Sequence, residues 1–171
     1  MRELAAEVGV KAPAIYNHFE SKTDVLATAV DFAVADFLMT VLPGLEDVEP
    51  QDRLYELLRR HVLYKTNDIA MARAHDKLLD ADFMRRTLPS GDYGRITAAL
   101  GGYRNLIREL VMHTAPPAAT DPSVDLRVLV SALIEMCDRV SAWFRPDGSL
   151  TAQAVAEQCC VIARRMVASG Q

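Results

Sequence analysis

The sequence predicts an all-α protein. Almost every segment places its apolar residues at helical period, no stretch shows sustained strand alternation bounded by hairpin turns, and Ala, Leu and Val dominate the composition. Of 171 residues, 50% are hydrophobic and 25% charged, the balance of a soluble helical domain and not of a disordered chain. That length suits one ordinary domain, or a small unit attached to a larger one, with enough chain to bury a core without staples.

The first helix is expected over Arg2 to Val8, with Leu4, Ala5 and Val8 on one face and Gly9 supplying the positive-φ stop. A second short helix is expected from about Ala12 to Phe19. Ser21 then stands where an N-cap belongs, with Asp24 three positions on. Val25, Leu26, Ala29, Phe32, Ala33, Phe37 and Val41 carry an apolar stripe to about Leu42, a rod of roughly 30 Å. Pro43 and Gly44 break it.

Pro50 opens the next predicted helix, where Leu54, Leu57, Leu58, His61, Val62 and Tyr64 line the buried side. A further helical segment runs from about Asn67 to Asp80. The string LPSGD, Leu88 to Asp92, reads as a loop before a long helix from Tyr93 to His113 with Ile96, Leu100, Tyr103, Ile107, Leu110 and Val111 inward. Gly101 and Gly102 weaken that helix by about 1 kcal/mol each, and mark close helix packing, ligand approach or a bend. A loop over Thr114 to Pro122 precedes helices at Val124 to Phe144 and Thr151 to Ala168. The short turn RPDGS between these two makes them antiparallel neighbours.

Several function classes are disfavoured. The longest apolar run, Val128 to Cys137, is interrupted by Ser131 and Glu135 and falls short of the roughly 18 residues of a membrane span. No export signal is evident, so cytoplasmic localisation without membrane association is expected. Cys137, Cys159 and Cys160 have no metal-ligand spacing and an odd count, which favours reduced, packed thiols, and no metal or cofactor is expected. The net charge of −4 argues against coating nucleic acid by bulk electrostatics, so any DNA binding must be local and geometric.

The first two helices supply that geometry. In a helix-turn-helix the second helix lies in the major groove while the first braces it across the backbone. Here Ala5 is small where the helices approach, Gly9 makes the turn, and Val10 and Ile15 serve as apolar plugs. The exposed remainder, Lys11, Ala12, Pro13, Tyr16, Asn17 and His18, is a polar and small face suited to phosphates and base edges, and Lys22 adds a cation. Taken singly, Tyr16 could equally be half-buried packing, His18 an interhelical histidine, and Lys11 and Lys22 solvated charges.

In the order GVKAPAIYNHFESK these residues resemble the DNA-binding signature of the TetR family of bacterial regulators. The similarity is close over LAAEVGV, Tyr16, His18, Phe19, Ser21, Lys22 and Leu26, about 30 residues in all. It implies phosphate contacts from Tyr16, His18 and Lys22, base reading by Lys11, Ala12, Pro13 and Asn17, and a backbone contact from Arg2. It implies a partial DNA-binding domain over 1–42, including the connecting helix from about residue 22. A helical ligand-binding and dimerisation domain would follow over 43–171. The stretch WFRPDGSL, Trp143 to Leu150, resembles the penultimate turn of TetR-like regulators of fatty-acid, steroid or other acyl-CoA catabolism.

The expected function is that of a regulator, a repressor released from a double-stranded DNA operator by a small-molecule effector, with an acyl-CoA or a lipid or steroid catabolite as the candidate effector. A homodimer is expected through Leu126, Leu129, Leu133, Met136 and Val140 with Val155, Cys159, Ile162 and Met166, unless these faces pack within one monomer. The effector pocket is assigned to Tyr64, Met71, Arg73, His75, Arg104, Met112 and Trp143, polar or polarisable groups beside apolar helical faces. Family members ordinarily begin with a further helix, and this sequence starts after it. A misassigned start or a fragment would account for that, and the reading unit is then expected to be loosened. Two rivals stand beside this reading: a fragment acting through heterodimers or protein partners, and a helical enzyme using His61, His75 and Asp76 with a carboxylate such as Glu109.

Overall fold

A computed structural model describes residues 1–114 and 124–168. The loop expected at Thr114 to Pro122 falls outside these residues from position 115 onward. Among the described residues ten helices follow one another: α1 Arg2–Glu7, α2 Ala12–Tyr16, α3 Lys22–Val41, α4 Arg53–Asn67 and α5 Ile69–Leu78, then α6 Ala81–Thr87, α7 Ser90–Thr114, α8 Leu126–Asp138, α9 Val140–Trp143 and α10 Ala152–Ala168. No strand occurs among the described residues.

Their ends follow local chemistry. Gly9, at φ 71°, turns the chain out of α1, and the amide of Val10 reaches back to the Ala5 carbonyl at 2.9 Å. The α2 helix stops at Tyr16, short of the expected Phe19, because the Ile15 carbonyl takes both the His18 and Phe19 amides and tightens the final turn. Ser21 caps α3 by accepting from the Asp24 amide at 3.1 Å, while Asp24 accepts from the Glu20 amide at 3.1 Å. Asp68, Asp80 and Asp125 cap α5, α6 and α8 in the same way.

Other expectations need correction. Helix α4 begins at Arg53, since Pro50 to Asp52 form turns. The segment after α5 holds a helix, α6, that periodicity did not single out. Ser90 to Asp92 lie in the first turn of α7, because Pro89 ends the preceding extended chain and its carbonyl accepts from the Tyr93 amide. The helix expected from Val124 to Phe144 divides at Arg139 into α8 and α9. Beside Gly101 and Gly102 an added Cβ would meet nothing within 4 Å, so close helix packing within the subunit does not explain them.

The larger core joins the C-terminal end of α3 to α4, α7, α8, α9 and α10, with Leu54, Leu57, Leu58, Ile107, Val111, Leu133 and Ala156 fully enclosed. A smaller cluster joins Ala27, Val30 and Val34 of α3 to Met84, Leu88 and Ile96. Helix α3 therefore belongs to both. Its expected stripe is interrupted, for Phe32 is 63% exposed, whereas Val30 and Val34 face inward in its place. In the reading unit Ala5 and Ile15 are buried, while Leu4, Val8 and Val10 are exposed, so Val10 is not the plug that the sequence promised.

Candidate functional site

The candidate DNA-reading surface lies on α1, α2 and the start of α3. Lys11, Pro13, Tyr16, Asn17, His18, Lys22 and Arg2 are all exposed, as contact with a phosphate or base edge requires. Tyr16 is 51% exposed, a half-buried ring that fits the packing alternative as well as a phosphate contact, and His18 is exposed. Ala12 lies in α2 with them. Buried Ala5 and Ile15 fix the two short helices against each other, and the Ser21–Asp24 cap fixes the turn into α3.

Helix α3 carries this surface into a polar network inside the helical domain. The Tyr64 hydroxyl of α4 donates to Asp36 of α3 at 2.9 Å and meets His75 Nδ1 of α5 at 2.8 Å. At the next residue of α4, the buried Lys65 ammonium donates to Asp76 of α5 and lies 3.0 Å from Asp138 at the end of α8. Fully buried His61 places Nε2 3.1 Å from Asp138 and Nδ1 3.0 Å from the Tyr103 hydroxyl. Ser141 donates to Asp76 at 2.6 Å, and Arg73 donates to the Ser141 carbonyl at 2.9 Å.

These contacts set the protonation states. Burial by itself raises the Asp138 carboxyl, but hydrogen bonds and charge from His61 and Lys65 outweigh it and hold the group well below the usual carboxylate range. Burial opposes the Lys65 charge, yet Asp138 and Asp76 raise its pKa above the ordinary lysine value. Burial and the Asp36 bond push the Tyr64 hydroxyl far up, so it stays a donor. Burial likewise raises the Cys137 thiol and takes Cys160 to about 11, and all three cysteines are free.

Beside the network lies an open cleft of about 460 Å³. Asp36 and Thr40 of α3, Arg60, Leu63, Tyr64 and Asn67 of α4, and Asp68, Met71 and Ala72 at the start of α5 line it. Of the residues assigned to a pocket from sequence, Tyr64 and Met71 line this cleft, and His75 supports Tyr64 from behind. The others do not. Arg73 turns toward Ser141, Arg104 donates to Ser131 of α8 at 3.0 Å, and Met112 and Trp143 are exposed on α7 and α9. Asp36, Arg60, Lys65, Asp68, Asp138 and Ser141 were missed. Lys65 had left a signal, since it continues the inward face of Leu58, His61 and Val62 at helical spacing.

The expected dimer faces are also corrected. Leu129, Leu133, Val140, Val155 and Cys159 are buried in the larger core, and Leu126, Met136 and Met166 pack against it, so one subunit already uses them. Ile162 is exposed, together with Val128 and Val161. The residues named for an enzyme are divided: His61 bonds Asp138 and Tyr103, His75 bonds Tyr64, Asp76 bonds Lys65 and Ser141, and Glu109 is exposed. Among the described residues no cluster could hold a metal ion, and no helix is long and apolar enough to cross a membrane.

A helix-turn-helix face joined by one long helix to a helical domain with a cleft is the architecture of a DNA-binding transcriptional regulator. Residues 1–29 match the model for bacterial regulatory proteins of the tetR family, and residues 47–167 match the tetracyclin repressor-like C-terminal domain. The chain belongs to the TetR family. No curated protein matches it in sequence.

Solved structures share the fold. A tetR-family regulatory protein from Rhodococcus RHA1 superposes with a TM-score of 0.80 at 21% identity, covering 97% of this chain and 84% of that one. AibR in complex with isovaleryl coenzyme A and operator DNA gives 0.78 at 22%, covering 94% and 84%. The ketosteroid regulator KstR2 of Mycobacterium tuberculosis gives 0.75 at 18%, covering 95% and 81%.

Proposed function

We propose that the protein is a homodimeric, cytoplasmic repressor that binds a double-stranded operator and is released from it by a small molecule. One observation carries this reading: α3 is a single helix whose first residue, Lys22, belongs to the DNA-reading surface and whose Asp36 and Thr40 line the cleft. A ligand that binds the two positions of α3 unequally shifts the placement of the reading surface, and only by that differential affinity. In a two-fold dimer the α2 helices would sit about one DNA turn apart, so a few degrees of α3 rotation changes whether both reach the groove.

The dimer face is proposed to include Val128 of α8 with Val161 and Ile162 of α10, apolar side chains left outside the subunit core. The isovaleryl coenzyme A bound by AibR and the ketosteroid role of KstR2 agree with the catabolite ligands that the Trp143 to Leu150 stretch suggested, so acyl-CoA thioesters belong in the ligand screen.

The test is fluorescence anisotropy on DNA flanking the protein's own coding region. Binding to one site at nanomolar concentration is expected. Lys22→Ala should weaken binding on every sequence and lower the salt slope by about 1, whereas Asn17→Ala should change which sequences are preferred. Failure to select any duplex over random DNA sinks the proposal.

A further inference from the structure

We infer, resting on the regulator reading, that Phe37 is a positioning residue for the DNA-reading surface. Its ring sits in an aromatic socket through which α4, α5, α7 and α8 set the tilt of α3. The buried Phe37 ring stands edge-on to His61 and Tyr64 of α4, with centroids at 4.7 and 5.3 Å, and to Tyr103 of α7 at 4.9 Å. The interplanar angles of 60°, 66° and 75° are of the kind that aromatic pairs favour. Among the described residues, every ring-to-ring contact of α3 is made by Phe37.

Each wall of the socket is held from outside. The Tyr103 hydroxyl meets His61 Nδ1 at 3.0 Å, and His61 Nε2 lies 3.1 Å from Asp138 of α8. The Tyr64 hydroxyl lies 2.8 Å from Nδ1 of His75 on α5, and the two rings stack at 6.2 Å. The same hydroxyl donates to Asp36, the residue before Phe37. Aliphatic neighbours can repack around a displaced side chain, whereas rings fixed by hydrogen bonds to other helices offer one seat. A shift of α5 or α8 therefore reaches Phe37 through a single side chain, Tyr64 or His61, and a shift of α7 reaches it directly through Tyr103.

Phe37 also stands where a small change has a long reach. The C-terminal end of α3 is clamped, since Arg60 Nη1 donates to the carbonyls of Val41 and Pro43 at 3.3 and 2.6 Å. Lys22, at the other end, lies roughly 22 Å along the helix from Phe37 at about 1.5 Å per residue. A tilt of about 5° at the socket displaces that end by about 2 Å, more than a hydrogen bond to a phosphate or base edge tolerates. Ile96, in the smaller cluster under α3, lies on α7 with Tyr103, so that support moves with one wall of the socket.

The test uses the full chain, first without DNA. Residual dipolar couplings give the angle of α3 against α4, α8 and α10. F37L keeps an apolar side chain and removes the ring; it should change that angle by about 5° or more and lower operator affinity about tenfold or more. V155A, on α10, which holds no part of the socket, should lower Tm and leave angle and affinity at the parent values. Y103F removes one hydroxyl and keeps the ring, and serves where F37L fails to fold. It should change angle and affinity by itself and add nothing in the F37L background.

An unchanged angle in F37L or Y103F overturns the proposal, as does F37L binding its operator like the parent. So does V155A moving α3 as far as F37L, or Y103F adding its full effect to F37L. Because the couplings need no DNA, the two readings separate. A chain that selects DNA but keeps its angle in F37L overturns the socket alone. One whose angle changes but which selects no DNA upholds the hold of the socket on α3 and overturns the regulator.

Discussion

Lys65 is buried with its ammonium between the carboxylates of Asp76 and Asp138, and each of its neighbours is held by a further group, His61 on Asp138 and Ser141 on Asp76. Removing the cation alone leaves two carboxylates facing each other, so Lys65→Met should cost about 3 kcal/mol, a fall in Tm of about 10 °C in differential scanning calorimetry. The acid side follows from Asp138. Its carboxyl is lowered in the folded state, so its stabilisation is present above the ordinary carboxylate pKa and is lost as pH falls toward the lowered value. Lys65 is raised, so its share persists at neutral pH and is lost only as pH climbs beyond about 10. Melting temperature should therefore be flat from about pH 5 to 9 and drop below about pH 4, and Asp138→Asn should flatten that drop. A steep loss at pH 6 would place the controlling group elsewhere. His61 and Tyr103 were read in the sequence as inward residues, whereas Lys65 was passed over despite its place on the same face, and Asp138 left no such signal. Pattern reading places charges outward, and a charge sealed by a partner on another helix breaks that rule through contacts no local window contains.

At the scale of the element, the N-terminal unit depends on how its short helices end. Gly9 needs its positive φ, and an added Cβ would meet nothing within 4 Å. Gly9→Ala therefore carries only the backbone cost, about 1 kcal/mol, and a larger loss in thermal melts would disprove this account. Ser21 stands at the joint between the reading surface and α3, and Ser21→Ala should remove about 1 kcal/mol. Because that joint sets the angle of the reading surface, DNA affinity should fall along with local amide protection. Affinity unchanged by the substitution would show that the cap holds only the helix. The Ser21 cap, the Gly9 stop and the break at Pro43 and Gly44 were readable, since each rests on one or two residues acting on their own backbone. The start of α7 was not, because Pro, Ser, Gly and Asp together read as loop, and yet Pro89 is what launches the helix. Helix α6 escaped for a similar reason: seven residues hold too few turns for a period to emerge, although Asp80 marks its cap.

For the whole molecule, periodicity located the helices better than it located their partners. The apolar faces of α8 and α10 were visible, but a face that packs within one subunit and a face that packs between two carry the same spacing. The structure assigns Leu129, Leu133 and Cys159 to the subunit core and leaves Val128, Val161 and Ile162 outside. The double variant Val128→Asp with Ile162→Asp should therefore give monomers by light scattering with a melting temperature close to the parent, whereas Leu133→Asp should unfold the domain. A double variant that stays dimeric would move the interface to another face. Helix α3 has a place in two separate apolar clusters, the smaller with Met84, Leu88 and Ile96 and the larger with α4. A beam seated on two unequal footings has a preferred order of failure. Warming should release the lesser footing first, so that the reading surface begins to wander while the sensing domain still holds its shape. Loss of gene control on heating would then precede loss of the protein, and would reverse on cooling.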